Sequence, residues 1–140
     1  MKEAMMLKPK PRLSALDMPF WDGCNEGRLM LQHCIECNKA VFYPRACCPH
    51  CQADALQWTQ ASGKGKVISH TTVRRTHHDS FNDEVPYVFA AVELQEGACI
   101  YGQLLGAPTD GRSLVAAEVE VAFIVHRPDQ KLAAFTLTPN

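Results

Sequence analysis

The 140-residue chain is 46% hydrophobic and 21% charged, a balance that suits a globular protein with a real core and argues against bulk disorder. Its net charge is −1, with seven Lys/Arg against six Asp/Glu in residues 1–60 and seven against nine in residues 61–140. That excludes the basic excess expected of a protein living on nucleic acid or anionic membrane, and no apolar run reaches the length needed to span a bilayer.

Residues 1–12 read as a charged, extended leader with Pro9 and Pro11 around Lys10, and Met1–Lys8 has too short an apolar run for a secretory signal. From Leu13 to Gly27 the pattern turns helical: Ser14 or Asp17 can cap the start, Pro19 suits a first turn and Gly27 can end the last. Leu13, Leu16, Phe20 and Cys24 recur at three- and four-residue steps and predict one apolar stripe. Phe20-Trp21 is a heavy aromatic pair for so short a segment. It either anchors the helix to its neighbours or offers rings to a partner or ligand.

The strongest signal follows. Cys34-Ile-Glu-Cys37 and Cys48-Pro-His-Cys51 are two Cys-x-x-Cys pairs ten residues apart. Each suits a tight knuckle turn whose N–H groups can point at thiolates, and the spacer can bring the second knuckle back beside the first. Four thiolates at tetrahedral corners suit Zn²⁺ and leave no open coordination position, so the predicted site is structural rather than catalytic. Leu29–His33 reads as the strand entering the first knuckle, Lys39–Tyr43 as the strand leaving it, and Leu56–Thr59 as the closing strand. The predicted organisation is an N-terminal arm and helix in residues 1–28, then a rubredoxin-like zinc ribbon in 29–60. Cys47 abuts Cys48, but only Cys48 keeps the two-residue spacing to Cys51. Cys24, Cys47 and Cys99 remain as free thiols without a disulfide framework, which implies a reducing, cytoplasmic setting. His33 and His50 flank the ligands, as outer-shell or exposed groups.

Ala61–Gly65 reads as a flexible joint. In residues 61–140 five strands are predicted with no long helix among them: Lys66–Arg74, Tyr87–Leu94, Cys99–Leu105, Glu118–His126 and Leu132–Leu137. In the second, Val88, Ala90, Val92 and Leu94 share one face and Tyr87, Phe89 and Ala91 the other. In the fourth, Val119, Val121, Phe123 and Val125 are expected to point inward. This pattern predicts a five-stranded OB-fold barrel, whereas an immunoglobulin-like sandwich needs about seven strands. The fold class is therefore mainly β, with a helical N-terminal segment, a four-cysteine zinc ribbon and a C-terminal barrel.

An ordered set of short motifs runs through about residues 17–137: Phe20-Trp21, Gly27-Arg-Leu29, the two cysteine pairs, Tyr43-Pro-Arg45, Ser62-Gly-x-Gly65-x-Val67, Pro86-Tyr87-Val88, Val92-Glu-Leu94, Val119-Glu-Val121 and Phe135. The set resembles the bacterial and archaeal zinc-ribbon plus OB-fold proteins associated with acyl-CoA metabolism, long classed as a domain of unknown function. One departure is visible, since Ala116-Ala117 stands where the family often has a Gly-Met-like turn. The resemblance implies an accessory, non-catalytic subunit that docks on a thiolase-like, ketosynthase-like, hydratase or aldolase enzyme and helps bind or channel acyl-CoA.

Other candidates are weighed against that reading. Arg74 and Arg75, with Lys64 and Lys66, lie at the ends of the first barrel strand and could bind the phosphates of coenzyme A. Single-stranded nucleic acid would use the same cations with Tyr87, Phe89 and Tyr101 as stacking rings, an alternative that the net charge disfavours. A free-standing enzyme would draw on His77-His78-Asp79 or a spare thiol, but sequence places no base beside a nucleophile. Catalytic activity of the chain alone is not expected. The residues singled out are Cys34, Cys37, Cys48 and Cys51 for zinc, and Phe20, Trp21, Arg74, Arg75, Tyr87 and Phe89 for ligand or partner contact.

Overall fold

The computed structural model describes residues 8, 9 and 11–138, so most of the expected leader, residues 1–7 and 10, lies outside the described residues. The helix α1 spans Met18–Glu26 and so begins later than Leu13. Asp17 holds the N-cap position, its carbonyl accepting from the Phe20 N–H (3.0 Å), but its carboxylate turns back to accept from the Ser14 N–H (2.8 Å) and hydroxyl (3.0 Å) and makes no side-chain cap. The stripe is correspondingly shorter: Phe20 and Cys24 are buried, while Leu16 is exposed. Pro19 does sit in the first turn, and Gly27 ends the helix at φ 79°, its N–H on the Cys24 carbonyl. Gly23 faces the returning chain, where a Cβ would meet Met30 Cγ at 2.6 Å.

Strands β1 (Met30–Cys34), β2 (Ala40–Val41) and β3 (Leu56–Gln60) form an antiparallel sheet in the order β2-β1-β3. Then β4 (Lys64–Val73), β5 (Tyr87–Leu94), β6 (Cys99–Leu105), β7 (Glu118–Arg127) and β8 (Gln130–Leu137) close into a barrel in the order β4-β5-β6-β8-β7. Four of its pairings are antiparallel, and β6 meets β8 in parallel at Leu104–Phe135. This is the OB-fold expected from the strand count. Strand β5 alternates as predicted, with Val88, Ala90, Val92 and Leu94 buried.

Two further expectations are corrected. The Ala61–Gly65 joint is tied down: the Ala61 N–H donates to the Leu29 carbonyl (2.8 Å) and the Gly63 carbonyl accepts from Val121 (2.7 Å). Gly63 sits at φ 80°, where a Cβ would lie 2.5 Å from Val121 Cγ1. Val125 points outward and is 64% exposed. The β7–β8 ladder shifts register between Val125 and Arg127, and this end of the hairpin packs on α1 instead. There the Gln130 amide donates to the Trp21 carbonyl, and the Lys131 N–H donates to Asn25 Oδ1. One continuous apolar cluster joins Phe20, Cys24, Leu29 and Leu31 to barrel residues Val67, Val92, Ile100, Val119 and Phe135. The helix and the base of the ribbon are thus cemented to the barrel.

Candidate functional site

The two knuckles are built alike. The Asn38 N–H bonds the Cys34 carbonyl and the Gln52 N–H bonds the Cys48 carbonyl, both at 2.8 Å. Asn38 (φ 63°) and Gln52 (φ 65°) occupy the left-handed region that turns each loop back on itself. The turns bring Cys34 Sγ to 3.6 Å from Cys51 Sγ and Cys37 Sγ to 3.6 Å from Cys48 Sγ, and all four sulfurs lie within 4.8 Å of one another. A tetrahedral ion with Zn–S bonds of about 2.3 Å needs sulfurs about 3.8 Å apart, so the quartet fits zinc. Burial pushes the Cys48 thiol up, but the N–H groups of Cys51 and His50 aimed at it prevail and hold it at about 6. Burial and the neighbouring sulfurs push Cys37 up to about 12. A cation at the centre would take four thiolates and leave no position for substrate. Cys47 is exposed and stands outside the quartet.

A second site lies beside α1. Phe20 and Trp21 project from the helix towards the outward face of β5, where Tyr87 and Phe89 stand, and these four residues line one cavity of about 390 Å³. Phe42 and Tyr43, which follow β2, add two more rings. Phe20 packs against Trp21 at 5.0 Å and Phe42 at 5.2 Å between ring centroids. Tyr101 from β6 stacks parallel to Phe89, with centroids 6.4 Å apart, while Ile124 of β7 and Leu132 and Ala133 of β8 complete the apolar lining. The Tyr43 hydroxyl donates to Asp17 Oδ2 at 2.8 Å. Burial and then this carboxylate raise the Tyr43 pKa. For Asp17, burial acts upward, but the Ser14 and Tyr43 hydrogen bonds outweigh it and leave the carboxyl below its ordinary value.

Of the six residues singled out for ligand or partner contact, the structure brings Phe20, Trp21, Tyr87 and Phe89 together. Arg74 and Arg75 are not among the cavity lining. They follow the last β4–β5 pair, Val73–Tyr87, where Arg74 Nη2 donates to the Thr109 carbonyl at 2.9 Å. The outward alternation of β5 marked Tyr87 and Phe89. Nothing in the local pattern pointed to Phe42, Leu132 or Ala133, which reach the cavity only through the packing of β8 and the ribbon against α1. His77 and His78 are exposed, and the His78 ring is engaged by Ser80. Burial pushes the Cys24 thiol up to about 11 and also raises Cys99, which makes both poor nucleophiles. A further hollow at the opposite end of β7, about 500 Å³ in volume, is lined by charges of both signs, Lys64 and Lys66 with Glu93, Glu118 and Glu120. No helix among the described residues is long and apolar enough to cross a membrane.

A four-sulfur zinc ribbon fused to a closed five-stranded OB barrel defines the class of protein. Residues 21–57 match the ChsH2 rubredoxin-like zinc-ribbon domain and residues 58–133 match the ChsH2 C-terminal OB-fold domain, and the chain belongs to this ChsH2, or DUF35, family. It is 36% identical over 91 residues to a DUF35 domain-containing scaffold protein of Methanothermobacter thermautotrophicus, covering 64% of this chain and 67% of that one. It is 35% identical over 105 residues to a probable enoyl-CoA hydratase alpha subunit of Thermomonospora curvata. That match covers 74% of this chain but only 32% of the larger protein. Among solved structures, a chain of an Ltp2-ChsH2(DUF35) aldolase superposes with a TM-score of 0.81 at 28% identity, over 91% of this chain and 98% of the other.

Proposed function

We propose that this chain is a non-catalytic accessory subunit that docks on a thiolase-like or related enzyme of acyl-CoA metabolism and helps bind the acyl-CoA. The observation that carries the reading is the likeness over nearly the whole length of a chain from an Ltp2-ChsH2(DUF35) aldolase. The relatives named as scaffold proteins and as a hydratase subunit agree with it. The site chemistry points the same way: the metal centre is closed to substrate, and of the three spare thiols Cys24 is buried, Cys99 is half-buried and Cys47 is exposed. On this reading the partner enzyme supplies the catalytic groups, while Arg74 and Arg75 are available to coenzyme A phosphates.

Affinity purification of the tagged chain from its native host, with mass spectrometry of the eluate, tests the reading. A thiolase-like, ketosynthase-like, hydratase or aldolase subunit at stoichiometric yield is the expected result. Recovery of the chain alone, or with RNA, would overturn it. Acyl-CoA turnover by the purified chain alone, lost on His78→Ala, would make it an enzyme instead.

A further inference from the structure

We infer that the aromatic cavity between α1 and the outer face of the barrel is a binding site for a bulky, uncharged apolar group. On the accessory-subunit reading, on which the identity of this ligand rests, that group is the hydrocarbon body of an acyl thioester and not its nucleotide. The cavity's volume of about 390 Å³ falls in the range of small-molecule sites, which are concave, mostly apolar and fitted with few polar groups.

The charged and amide groups present are already engaged, whereas the Trp21 indole N–H is buried without a hydrogen-bond partner and is open to an acceptor on the ligand. Lys8 pairs with Glu84 and lies over the Phe81 ring. The Gln103 amide also donates to Glu84, at 3.2 Å. His126 Nε2 is 2.6 Å from the Pro9 carbonyl, and the Tyr43 hydroxyl is spent on Asp17. An anionic nucleotide would have to break these pairs to find a cation, whereas an apolar body leaves every one intact. At the surface, Phe89 and Tyr101 stack within 5° of parallel and remain 39% and 64% exposed, presenting flat apolar faces whose covering is favourable. Rings gathered from the helix, the ribbon and two barrel strands line a half-open hollow, the concave shape of a small-molecule site.

The test titrates the zinc-loaded full chain with N-phenyl-1-naphthylamine, an uncharged two-ring fluorophore, using decanoyl-CoA and free coenzyme A as competitors. Saturable one-to-one binding is expected, with displacement by decanoyl-CoA at a concentration about tenfold or more below that needed for coenzyme A. Tyr101→Ala, at an exposed position that leaves the core alone, should weaken the probe about fivefold. Ala133→Phe, which fills the hollow, should weaken it about tenfold or more. Unchanged probe affinity in folded Tyr101→Ala and Ala133→Phe chains would overturn the inference. So would displacement of the probe by the captured partner enzyme without acyl-CoA, which would give the hollow to a protein side chain. Wild-type capture of that enzyme by both variants, with probe binding lost, supports a ligand site separate from docking. Probe binding that persists when no partner is ever captured sinks the accessory reading and leaves the cavity standing.

Discussion

Replacing one zinc ligand should unfold the knuckles and the spacer between them while leaving the barrel folded. Around the sulfur quartet the buried residues are Cys34, Val41 and Cys48, with Cys37, Ala53, Ala55 and Leu56 partly buried against them. Two of the three buried residues are ligands themselves. Burying Val41 contributes about 1.5–3 kcal/mol, against about 10–16 kcal/mol for structural zinc in comparable peptides. The metal therefore dominates this end of the molecule several-fold. Cys37→Ser leaves three sulfurs and a weakly ligating hydroxyl, so zinc per chain should fall to about a tenth of wild type under mild chelator competition. Hydrogen exchange should then accelerate at the Asn38 and Gln52 amides, which close the two knuckles. Leu29 and Leu31 belong to the barrel's apolar cluster, so protection across Tyr87–Leu94 should persist. Wild-type zinc content in the variant would refute the ligand assignment. Equal loss of protection in knuckles and barrel would refute the division of energies. Cys48→Ser should behave like Cys37→Ser, because Cys47 is exposed and outside the quartet.

Further expectations concern single contacts. The Tyr43 pKa is raised by burial and then by Asp17, so its contribution to stability is present below about pH 10 and is lost as pH rises through the higher native value. Asp17→Asn should bring the Tyr43 component of an ultraviolet tyrosinate titration down towards the ordinary value without reaching it, because burial persists; an unmoved titration in Asp17→Asn would discount the Asp17 contact. Ala116 is held at φ 72° with its N–H on the Val67 carbonyl, a conformation that costs an L-residue about 1–2 kcal/mol. Ala116→Gly should therefore raise stability to urea by up to about 1 kcal/mol, after allowing for glycine's extra freedom in the unfolded chain; a less stable variant would count against strain at this turn. A Cβ at Gly65 would stand 2.5 Å from the Glu93 carbonyl oxygen. Gly65→Ala should accordingly cost about 3 kcal/mol in the same urea assay, and a neutral result would mean that β4 and β5 can separate freely there.

The parts legible in the sequence were those set by local periodicity or by a covalent spacing. The cysteine pairs, the inward face of β5 and the presence of the five barrel strands depend on neighbours a few residues apart. Where the structure departed from expectation, side-chain and backbone contacts outside the periodic pattern decided. Val125 continues the alternation of β7 on paper, but the hairpin outruns the barrel core and turns its other face to α1. Leu16 sits at helical spacing from Phe20, yet it precedes the N-cap residue Asp17, whose carboxylate is drawn to Ser14 and Tyr43. Ala61–Gly65 has the composition of a loose joint, but the carbonyls of Leu29 and Gly63 are each claimed by a partner elsewhere in the chain. The cavity combined both kinds of information. Its residues from α1 and β5 were visible as outward aromatics, whereas those from β8 and the ribbon became neighbours only when the whole chain closed.

That last point links the metal to the cavity. Phe42 and Tyr43 lie on the spacer between Cys37 and Cys48, so the zinc ribbon sets the path of the segment that supplies two of the cavity's rings. Gln32 reinforces it, its amide donating to the Arg45 carbonyl at 2.9 Å and its side-chain oxygen accepting from the Arg45 N–H at 2.7 Å. If the knuckles melt, Phe42 loses its place against Phe20 and Tyr43 its bond to Asp17, while Trp21, Phe89 and Tyr101 stay on α1 and the barrel. Two aromatic walls contribute about 1–3 kcal/mol to a bound apolar group. Stripping zinc should thus weaken displaceable binding of N-phenyl-1-naphthylamine by about tenfold, and restoring zinc should recover it. Zinc-free chain that binds the probe as tightly as before, with the same displacement by decanoyl-CoA, would show that helix and barrel alone build the site. A tenfold, zinc-reversible loss would make the closed metal centre, although remote from any chemistry, a determinant of what the protein can hold.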